Sequence, residues 1–489
     1  MNFSILTFPS MAFLLGSLIV VMMTPFLRQW AHSRAVLDVP TELRKIHTEP
    51  IPRVGGFAIY AAFLVIFLLL RFLFPEQVQS LEGWEEIFVV VTPMFIMGAW
   101  DDFRPLGAKK KLAAQIVIAI MAYWIGVRIE NITNPFNNTF YHIGLWGLPL
   151  TVLWLVAITN LINLIDGLDG LAAGVSLFLM VVLAALAASR GSVPLLCLSV
   201  GIAGALAGFL FFNFPPAKIF LGDGGAYFLG SLIATMALVN SSKGEVVAAM
   251  VVPFFALGLP VLDTALAILR RGILGLPIFR GDRQHIHHRL LDMGFSQRRT
   301  VVLLYMICAL LCLIAAFFFV VGSRWWALLL GVLFTVALMS VRGLGYVKGW
   351  DKFGLQLAGS AEKRRSIQMA LLLGKVLVLE SENCRDWPEF VKLASEKLEK
   401  LGFHSFKLRT RIAEIESAEW RPEHPRPWNI ENAEWVEHVR LLQIGREVVG
   451  EIRLCSYVEE DWLDHYDRVA DVLAESIEDA FQVCHRRFA

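Results

Sequence analysis

Residues 146–189 read WGLPLTVLWLVAITNLINLIDGLDGLAAGVSLFLMVVLAALAAS, two long apolar runs joined by a short polar junction. The runs at 146–164 and 170–189 are each long enough to cross the hydrocarbon core of a bilayer as a helix. The junction NLINLIDGLDG holds two asparagines and two aspartates. Ionisable groups at membrane depth are costly and are retained where they have a use. The stretch therefore predicts a helical membrane protein with a polar site at one end of its helices.

The composition of the whole chain agrees with this interpretation. The chain has 489 residues, of which 56% are hydrophobic and only 18% are charged, and its mean hydropathy is +0.59. Such values are typical of polytopic membrane proteins. We predict an all-α polytopic membrane protein with about eleven transmembrane helices, at 5–27, 54–74, 86–100, 112–127, 146–164, 170–189, 194–213, 226–239, 246–269, 300–320 and 324–341.

The distribution of basic residues predicts the orientation of these spans. The loops that follow odd-numbered spans contain 17 Lys and Arg residues, whereas the even-numbered loops contain 5 when Arg71 and Arg324 at their edges are included. Basic residues are enriched in cytoplasmic loops. The sequence therefore predicts that the N-terminus lies outside and that the odd-numbered loops and the C-terminus are cytoplasmic.

Neither the charge nor the cysteines indicate a nucleic-acid-binding protein. The formal net charge is +1, the tail has no basic helix, and none of the six cysteines lies in a CxxC pair. A protein that binds nucleic acid by charge carries a basic patch or stripe, and zinc modules require paired cysteine or histidine ligands. We therefore expect no nucleic-acid partner.

The chain after residue 342 has the composition of a soluble domain. DWPEFVKLASEKLEKLG (386–402) predicts an amphipathic helix with an aspartate at its N-cap, and HVRLLQI and EVVGEIRLC predict a β-hairpin. Apolar residues then recur at helical spacing from Leu463 to Phe481. We predict a transmembrane domain at 1–342 and a cytoplasmic α/β accessory domain at 343–489, which resembles GAF-like sensor folds.

Five polar segments all fall in loops that the charge pattern assigns to the cytoplasm. They are RKIHTEPIPRVGG (44–56), DDFRPLGAKKK (101–111), NLINLIDGLDG (160–170), FLGDGGAYFLG (220–230) and RGDRQHIHHRLLDMG (280–294). Their common side means that they can form one site.

The central segment can present several polar groups on one helix face. Asn160, Asn163 and Asp166 are spaced three residues apart, and at about 100° per residue they lie within about 120° of the helix surface. Gly167 and Gly170 permit a sharp turn that brings backbone close to a ligand. The alternative interpretation is a polar helix end followed by a glycine turn.

Two other segments supply carboxylates. Asp101 and Asp102 are adjacent, and their repulsion is relieved by a divalent cation or by a lysine such as Lys111; an ordinary solvated loop is the alternative. Asp223 lies in a glycine-rich turn that opens a helix, where backbone can approach a phosphate or a metal ion.

The last segment combines histidines and arginines. They are His285, His287, His288, Arg280, Arg283 and Arg289. Arginine makes bidentate contacts with phosphate oxygens, so this group suits a diphosphate better than a zinc ion. Carboxylates for Mg²⁺ and cations for a diphosphate, all at the membrane boundary, predict one soluble phosphorylated substrate and one lipid substrate.

With these segments the sequence resembles the polyprenyl-phosphate N-acetylhexosamine-1-phosphate transferases, glycosyltransferase family 4 in the broad sense. The matching motifs are DDFRPLGAKKKLAAQ, NLINLIDGLDGLAAG, FLGDGGAYFLG and HIHHRL, in this order and preceded by RKIHTEPIPRVGG. HIHHRL, preceded by PVLDTALAILRR, resembles the undecaprenyl-phosphate N-acetylglucosaminyl-1-phosphate transferases. Phospho-N-acetylmuramoyl-pentapeptide transferase is the alternative within the family.

The resemblance implies a role for each matching residue. The Mg²⁺ ligands would be Asp223 and Asn163, and the catalytic residues would be Asp101, Asp102 and Asp166. The substrate-binding residues would be Lys45, Lys111, Asn160, Asp169, Phe220, His285, His287, His288 and Arg289. Within the last group, Phe220 would stack on uracil and Asp169 would accept a uracil N–H. The sequence leaves open whether transfer is a single or a double displacement.

The resemblance also implies the reaction and its partners. An N-acetylhexosamine 1-phosphate, with N-acetylglucosamine as the expected sugar, would pass from its UDP donor to undecaprenyl phosphate with release of UMP, as the first membrane step of cell-envelope polysaccharide synthesis. Mg²⁺ is the expected cofactor and Mn²⁺ a substitute; the setting is the bacterial plasma membrane, and a homodimer is compatible with the resemblance. A secondary transporter, whose site lies near the bilayer midplane, and a membrane sensor are alternatives of a different class.

Overall fold

The computed structural model describes most of the chain. The described residues are 4–34, 36–38, 50–133, 139–239, 257–274, 286–321, 350–411, 417–421, 433–444, 447–458 and 462–488. The predicted span at 324–341 and part of the span at 246–269 lie outside these residues, so the count of eleven spans stays a prediction. The boundary predicted at 342 lies outside them too.

The chain forms two compact units, the first of which contains most residues up to 346. Its described part is almost entirely helical. The helices are α1 (Ser4–Ser33), α2 (Gly55–Leu73), α3 (Pro75–Ser80), α4 (Trp84–Phe103), α5 (Ala108–Ile125), α6 (Gly147–Ile165), α7 (Leu171–Ser189), α8 (Val193–Asn213), α9 (Gly222–Val239), α10 (Gly258–Leu274), α11 (Ile286–Asp292) and α12 (Gln297–Val321).

Seven of the described helices are long and apolar enough to cross a membrane. They include the whole or the greater part of α1, α2, α6, α7, α8, α9 and α12. The protein is therefore a multi-pass membrane protein. The predicted spans at 86–100 and 112–127 are also helices, α4 and α5, although charged residues lie at their ends.

Helix α9 lies at the centre of the first unit. Every residue from Gly222 to Leu238 is buried, and α2, α4, α6 and α7 all pack against it. Small residues allow the close approach: a Cβ at Gly98 of α4 would collide with the backbone carbonyl of Asp223. Glycine at helix interfaces in membranes lets backbones approach closely. The packing thereby sets the start of α9 against the end of α4.

Two short antiparallel ribbons flank the helices. In the first, β1 (Leu37–Asp38) pairs with β2 (Ile51–Pro52), with Asp38 opposite Ile51. In the second, β3 (Asn131–Thr133) pairs with β4 (Phe140–His142). The first ribbon matters for the site because β2 leads directly through Arg53 into α2.

The largest part of the second unit is residues 347–489, which combine helices with one sheet; the end of α10, from Ala267, also belongs to this unit. Its elements are α13 (Trp350–Ser381), α14 (Trp387–Lys400), β5 (Ser405–Thr410), β6 (Ser417–Trp420), β7 (Glu434–Ile444), β8 (Glu447–Val458) and α15 (Leu463–Phe488). The strands form an antiparallel sheet in the order β6-β5-β8-β7. Phe390, Phe406 and Phe481 are fully buried between sheet and helices.

The structure confirms the helix and the hairpin predicted in this unit. The side chain of Asp386 accepts a hydrogen bond from the backbone N–H of Glu389 at 2.9 Å, so it caps α14 as its position predicts. Strands β7 and β8 pair in antiparallel register from Glu434 opposite Val458 to Ile444 opposite Glu447. The GAF-like assignment and the cytoplasmic location stay predictions.

Candidate active site

The ends of several helices converge on the start of α9. Asp101 and Asp102 lie in the last turn of α4, Asn163 in the last turn of α6, Asp223 in the first turn of α9, and Lys111 in the first turn of α5. These residues come from three of the five polar segments, and Arg53, which lies 3.5 Å from Asp223, adds a fourth.

Lys111 joins two of the predicted carboxylates. Its Nζ donates to Oδ2 of Asp101 and to Oδ2 of Asp223, both at 2.9 Å. Oδ1 of Asp101 accepts from the backbone N–H of Leu106 at 2.7 Å, which ties the loop after α4 to the same carboxylate. One cation therefore balances two largely buried carboxylates that would otherwise repel each other.

The carboxylate of Asp102 accepts hydrogen bonds from the backbone of α9. Its Oδ1 accepts from the N–H of Asp223 at 2.8 Å, and its Oδ2 accepts from the N–H of Gly224 at 2.9 Å. The first N–H groups of a helix have no partner within the helix, and a carboxylate is well suited to them. Gly222, at φ +77°, completes the sharp entry to α9, where a Cβ would meet the carboxylate of Asp102. Asp102 therefore fixes the position of Asp223.

The other carboxylate oxygen of Asp223 faces two further donors. Oδ1 accepts from Nδ2 of Asn163 at 3.2 Å and lies 3.5 Å from a guanidinium nitrogen of Arg53. Arg53 also lies 4.0 Å from Asp38. Sequence reasoning missed Arg53 as a site residue, although the segment RKIHTEPIPRVGG contains it. The signal available was an arginine two residues before a glycine pair that opens a helix.

Asp166 follows α6 and has a different environment. The side chain is half-buried, and no hydrogen bond to its carboxylate is found within the described part of the chain. Burial raises the pKa of Asp166 well above its usual value; Arg53 opposes the rise, whereas the carboxylates of Asp223, Asp102 and Asp169 add to it. A carboxylate that is short of donors and close to other carboxylates is suited to accept a cation.

Asn160 is held by a residue outside the predicted set. Its Nδ2 donates to Oε1 of Gln115 at 2.6 Å and to the carbonyl of Val156 at 2.8 Å. Gln115 is fully buried. Asn160 therefore joins α6 to α5, and its predicted contact with substrate stays a prediction.

The two residues predicted to bind uracil lie near the loop before α9. Oδ2 of Asp169 accepts from the N–H of Ala217 at 2.9 Å. Phe220 is half-buried, and its backbone pairs with Pro52 at 2.8 Å and with Gly55 at 2.9 Å. These contacts order the loop between α8 and α9 and leave both base-binding roles as predictions.

Part of the predicted diphosphate-binding set cannot be placed. Lys45 and His285 lie outside the described residues. His287 and His288 belong to α11, but the structure describes only their backbone. Arg289 on the same helix is half-buried. The first backbone N–H of α11, on Ile286, donates to Oδ1 of Asp263 at 3.0 Å, so α10 fixes the start of this helix.

The oxygen donors around Asp223 fit a magnesium ion that is held mainly by substrate. The described part of the chain contains no group of three or more His, Cys, Asp or Glu side chains with metal-binding spacing. Mg²⁺ keeps several waters and is usually bound through one or two carboxylates together with substrate phosphates. Asp223 already attracts two cationic side chains, and the carboxylate of Asp166 lies close enough to interact with it electrostatically.

Comparison with known proteins gives one family. The family model of glycosyl transferase family 4 matches residues 84–241. A probable undecaprenyl-phosphate N-acetylglucosaminyl 1-phosphate transferase of Bacillus subtilis (strain 168) is 37% identical over 296 residues, which cover 60% of this chain and 81% of that protein.

Two further relatives are less similar to this chain. A decaprenyl-phosphate N-acetylglucosaminephosphotransferase of Mycolicibacterium smegmatis is 32% identical over 355 residues, covering 67% of this chain and 86% of that protein. A phospho-N-acetylmuramoyl-pentapeptide-transferase of Geobacillus sp. (strain WCH70) is 29% identical over 308 residues, covering 61% and 92%. The residues of this chain that match the family model include Asp101, Asp102, Lys111, Asn163 and Asp223.

Proposed function

The chain belongs to glycosyl transferase family 4, and on this basis we propose that it transfers N-acetylglucosamine 1-phosphate from UDP-N-acetylglucosamine to undecaprenyl phosphate and releases UMP. The observation that carries the proposal is the meeting of Asp101, Lys111, Asn163 and Asp223 at the start of α9. The relatives named for N-acetylglucosamine are more similar to this chain than those named for the muramoyl pentapeptide.

In this reaction an oxygen of the lipid phosphate attacks the β-phosphorus of the donor. The bond between the β-phosphorus and the bridging oxygen breaks, and UMP leaves with that oxygen. In this proposal Lys111 and Arg53, which both contact Asp223, bind the negative diphosphate, and Asp102 holds α9 so that Asp223 keeps its position. Positioning and electrostatic stabilisation supply most of the catalysis in phosphoryl transfer.

Mg²⁺ is part of the proposal. Asp223, with Asn163 and Asp166 beside it, would hold the ion. The ion would neutralise charge on the diphosphate oxygens and so make UMP a better leaving group. Asp101 stays paired with Lys111 and would tune how firmly that ammonium binds phosphate.

The proposal includes the orientation in the membrane. We assign the site, and with it residues 343–489, to the cytoplasm of a bacterium, with the N-terminus outside and eleven spans in the plasma membrane. The excess of basic residues in the odd-numbered loops supports this orientation. In this orientation a site at the membrane boundary can meet a soluble UDP-sugar together with a lipid phosphate.

The test is UMP release by purified protein given undecaprenyl phosphate and Mg²⁺. We expect release with UDP-N-acetylglucosamine, loss of release with excess EDTA, and recovery on adding Mg²⁺ back. Asp223→Asn is the inactive control. Unchanged release in EDTA would contradict the role of the metal ion, and release from UDP-N-acetylmuramoyl-pentapeptide alone would assign the other activity of the family.

A further inference from the structure

Helix α13 of the second unit carries apolar residues on two opposite faces. From Ile367 to Leu379 its sequence is IQMALLLGKVLVL, in which only Gln368 and Lys375 have polar side chains. A helix that is apolar on all sides is normally buried on all sides. The second unit covers only one of these two faces.

The inner face is part of the core of the second unit. Ile367, Ala370 and Leu377 are buried there, and Gly374 lies directly against Ser476 of α15. These residues account for the packing of α13 on α15. The described part of the second unit leaves the opposite side of α13 uncovered.

The outer face is an exposed apolar row, which we call the α13 stripe. It consists of Met369, Leu372, Val376 and Leu379, which are 48%, 63%, 38% and 64% exposed. Single exposed apolar residues are normal, but a continuous row marks an interaction site. The spacing of three, four and three residues is that of the a and d positions of a coiled coil.

We propose that the α13 stripe binds the same stripe of a second copy of this chain, as a parallel two-stranded coiled coil. Met369 and Val376 occupy the a positions, and Leu372 and Leu379 occupy the d positions. A β-branched residue at a with leucine at d favours two parallel strands. The occupant is thus a helix of identical sequence in the same register.

The charges beside the stripe select the parallel arrangement. Lys375 occupies a g position and Glu380 the e position of the next heptad, and these positions face each other across a parallel pair. Glu380 accepts from Lys397 of its own copy at 2.6 Å but remains 46% exposed, so it can also meet Lys375 of a second copy. In an antiparallel pair with the same apolar layers, the two Lys375 side chains would lie side by side and repel.

The short length of the stripe is compatible with a stable pair. Two heptads would be marginal for free helices, but here the inner face already holds α13 in helical form. Both copies are also confined to one membrane, which raises their effective concentration.

Disulfide formation in membranes containing the full chain tests the proposal. Cysteine is introduced singly at Met369, Leu372, Val376 and Leu379; Arg364→Cys and Lys392→Cys are the controls, because both positions are exposed and lie off the stripe. All six natural cysteines are buried. On mild oxidation, each stripe variant should give a covalent dimer and the two controls should not.

Exchanging the charges at Lys375 and Glu380 provides an independent test. In the Leu372→Cys background, Lys375→Glu should reduce the dimer yield by about two- to fivefold, and adding Glu380→Lys should restore it. Absence of dimer at all four positions, or equal dimer at the controls, would overturn the proposal. Dimers that form only when Leu372→Cys and Val376→Cys copies are mixed would indicate an antiparallel pair and overturn it too.

Discussion

At the scale of single residues, Asp223 is the centre of the candidate site. One of its oxygens meets Lys111, and the other meets Asn163 and Arg53. These partners come from α5, α6 and the segment before α2. Each of them is a donor or a cation, so together they hold the carboxylate in one position.

Lys111 is predicted to be essential and its neighbour Lys110 dispensable. Lys111→Met removes the cation between Asp101 and Asp223, and turnover should fall by about 10² to 10³, as for other preorganised electrostatic interactions. Lys110→Met changes an exposed lysine on the adjacent position of α5 and should leave turnover within about twofold, because exposed charges contribute little. The measurement is UMP release by the two variants at equal folded concentration. Equal activities would contradict the role of Lys111.

The residue types of the site could be predicted from the sequence, but their pairing could not. Asp101, Lys111, Asn163 and Asp223 were all expected and lie together. Arg53, by contrast, lies 170 positions from Asp223, and no local spacing links the two. Asn160 shares a helix face with Asn163, yet its amide donates to Gln115 of α5 and not to Asp223. Which neighbouring helix each residue contacts depends on the packing of the helices, and spacing within one helix does not reveal it.

At the scale of elements, the site depends on how α9 begins. Asp102 at the end of α4 accepts from the first N–H groups of α9, and Gly98 lets the two helices approach. Sequence periodicity predicted both helices but could not predict this contact, which joins residues 121 positions apart.

Replacing Asp102 is predicted to lower stability and activity together. Asp102→Asn puts an NH₂ group against a backbone N–H and should cost about 0.5–2 kcal/mol, as loss of a helix cap does. The midpoint of thermal unfolding and the turnover should both fall, and Asp102→Ala should lower both further. A normal midpoint with lost turnover in Asp102→Asn would instead indicate a direct chemical role.

The last helix of the second unit is predicted to lose stability in acid. Burial lowers the pKa of His465 to about 4, and Lys363 and Arg468 add to the shift; in the unfolded chain the group titrates near 6.5. Between these values the unfolded chain binds a proton that the folded unit does not. Stability is therefore lost as pH falls from about 6.5 to 4, by up to about 3 kcal/mol.

Hydrogen exchange of α15 in the full chain measures this effect. After correction for the intrinsic exchange rate, protection of α15 should be lower at pH 5 than at pH 7, and the difference should shrink in His465→Gln. Burial also lowers the pKa of His404, but the unchanged protein and the His465→Gln variant both retain this residue, so it does not contribute to the difference between them. Equal pH dependence in the two proteins would show that His465 is not responsible.

At the scale of the whole molecule, the transferase motifs and residues 347–489 are separate stretches of the chain. The motifs end near residue 290, and the second unit has its own core around Phe390, Phe406 and Phe481. The sequence predicted both parts from the change in composition. It could not predict the exposed stripe on α13, because burial of its opposite face appears only in the folded unit.

Removal of the second unit is predicted to spare the chemistry. A chain that ends near residue 350 should retain Mg²⁺-dependent UMP release within about threefold of the full chain, because domains of this size usually meet their neighbours through modest interfaces. Both proteins are compared in one detergent at equal folded concentration. A well-folded truncated protein without activity would show that the second unit completes the site.

The most direct measurement follows the β-phosphate of the donor. Purified protein is given undecaprenyl phosphate and UDP-N-acetylglucosamine that is radiolabelled in its β-phosphate, and the lipid product is extracted. Transfer of a sugar 1-phosphate places the label in the lipid, with unlabelled UMP in solution, and Asp223→Asn should yield no labelled lipid. Label that remains in solution as UDP while the lipid gains the sugar would contradict transfer of sugar 1-phosphate.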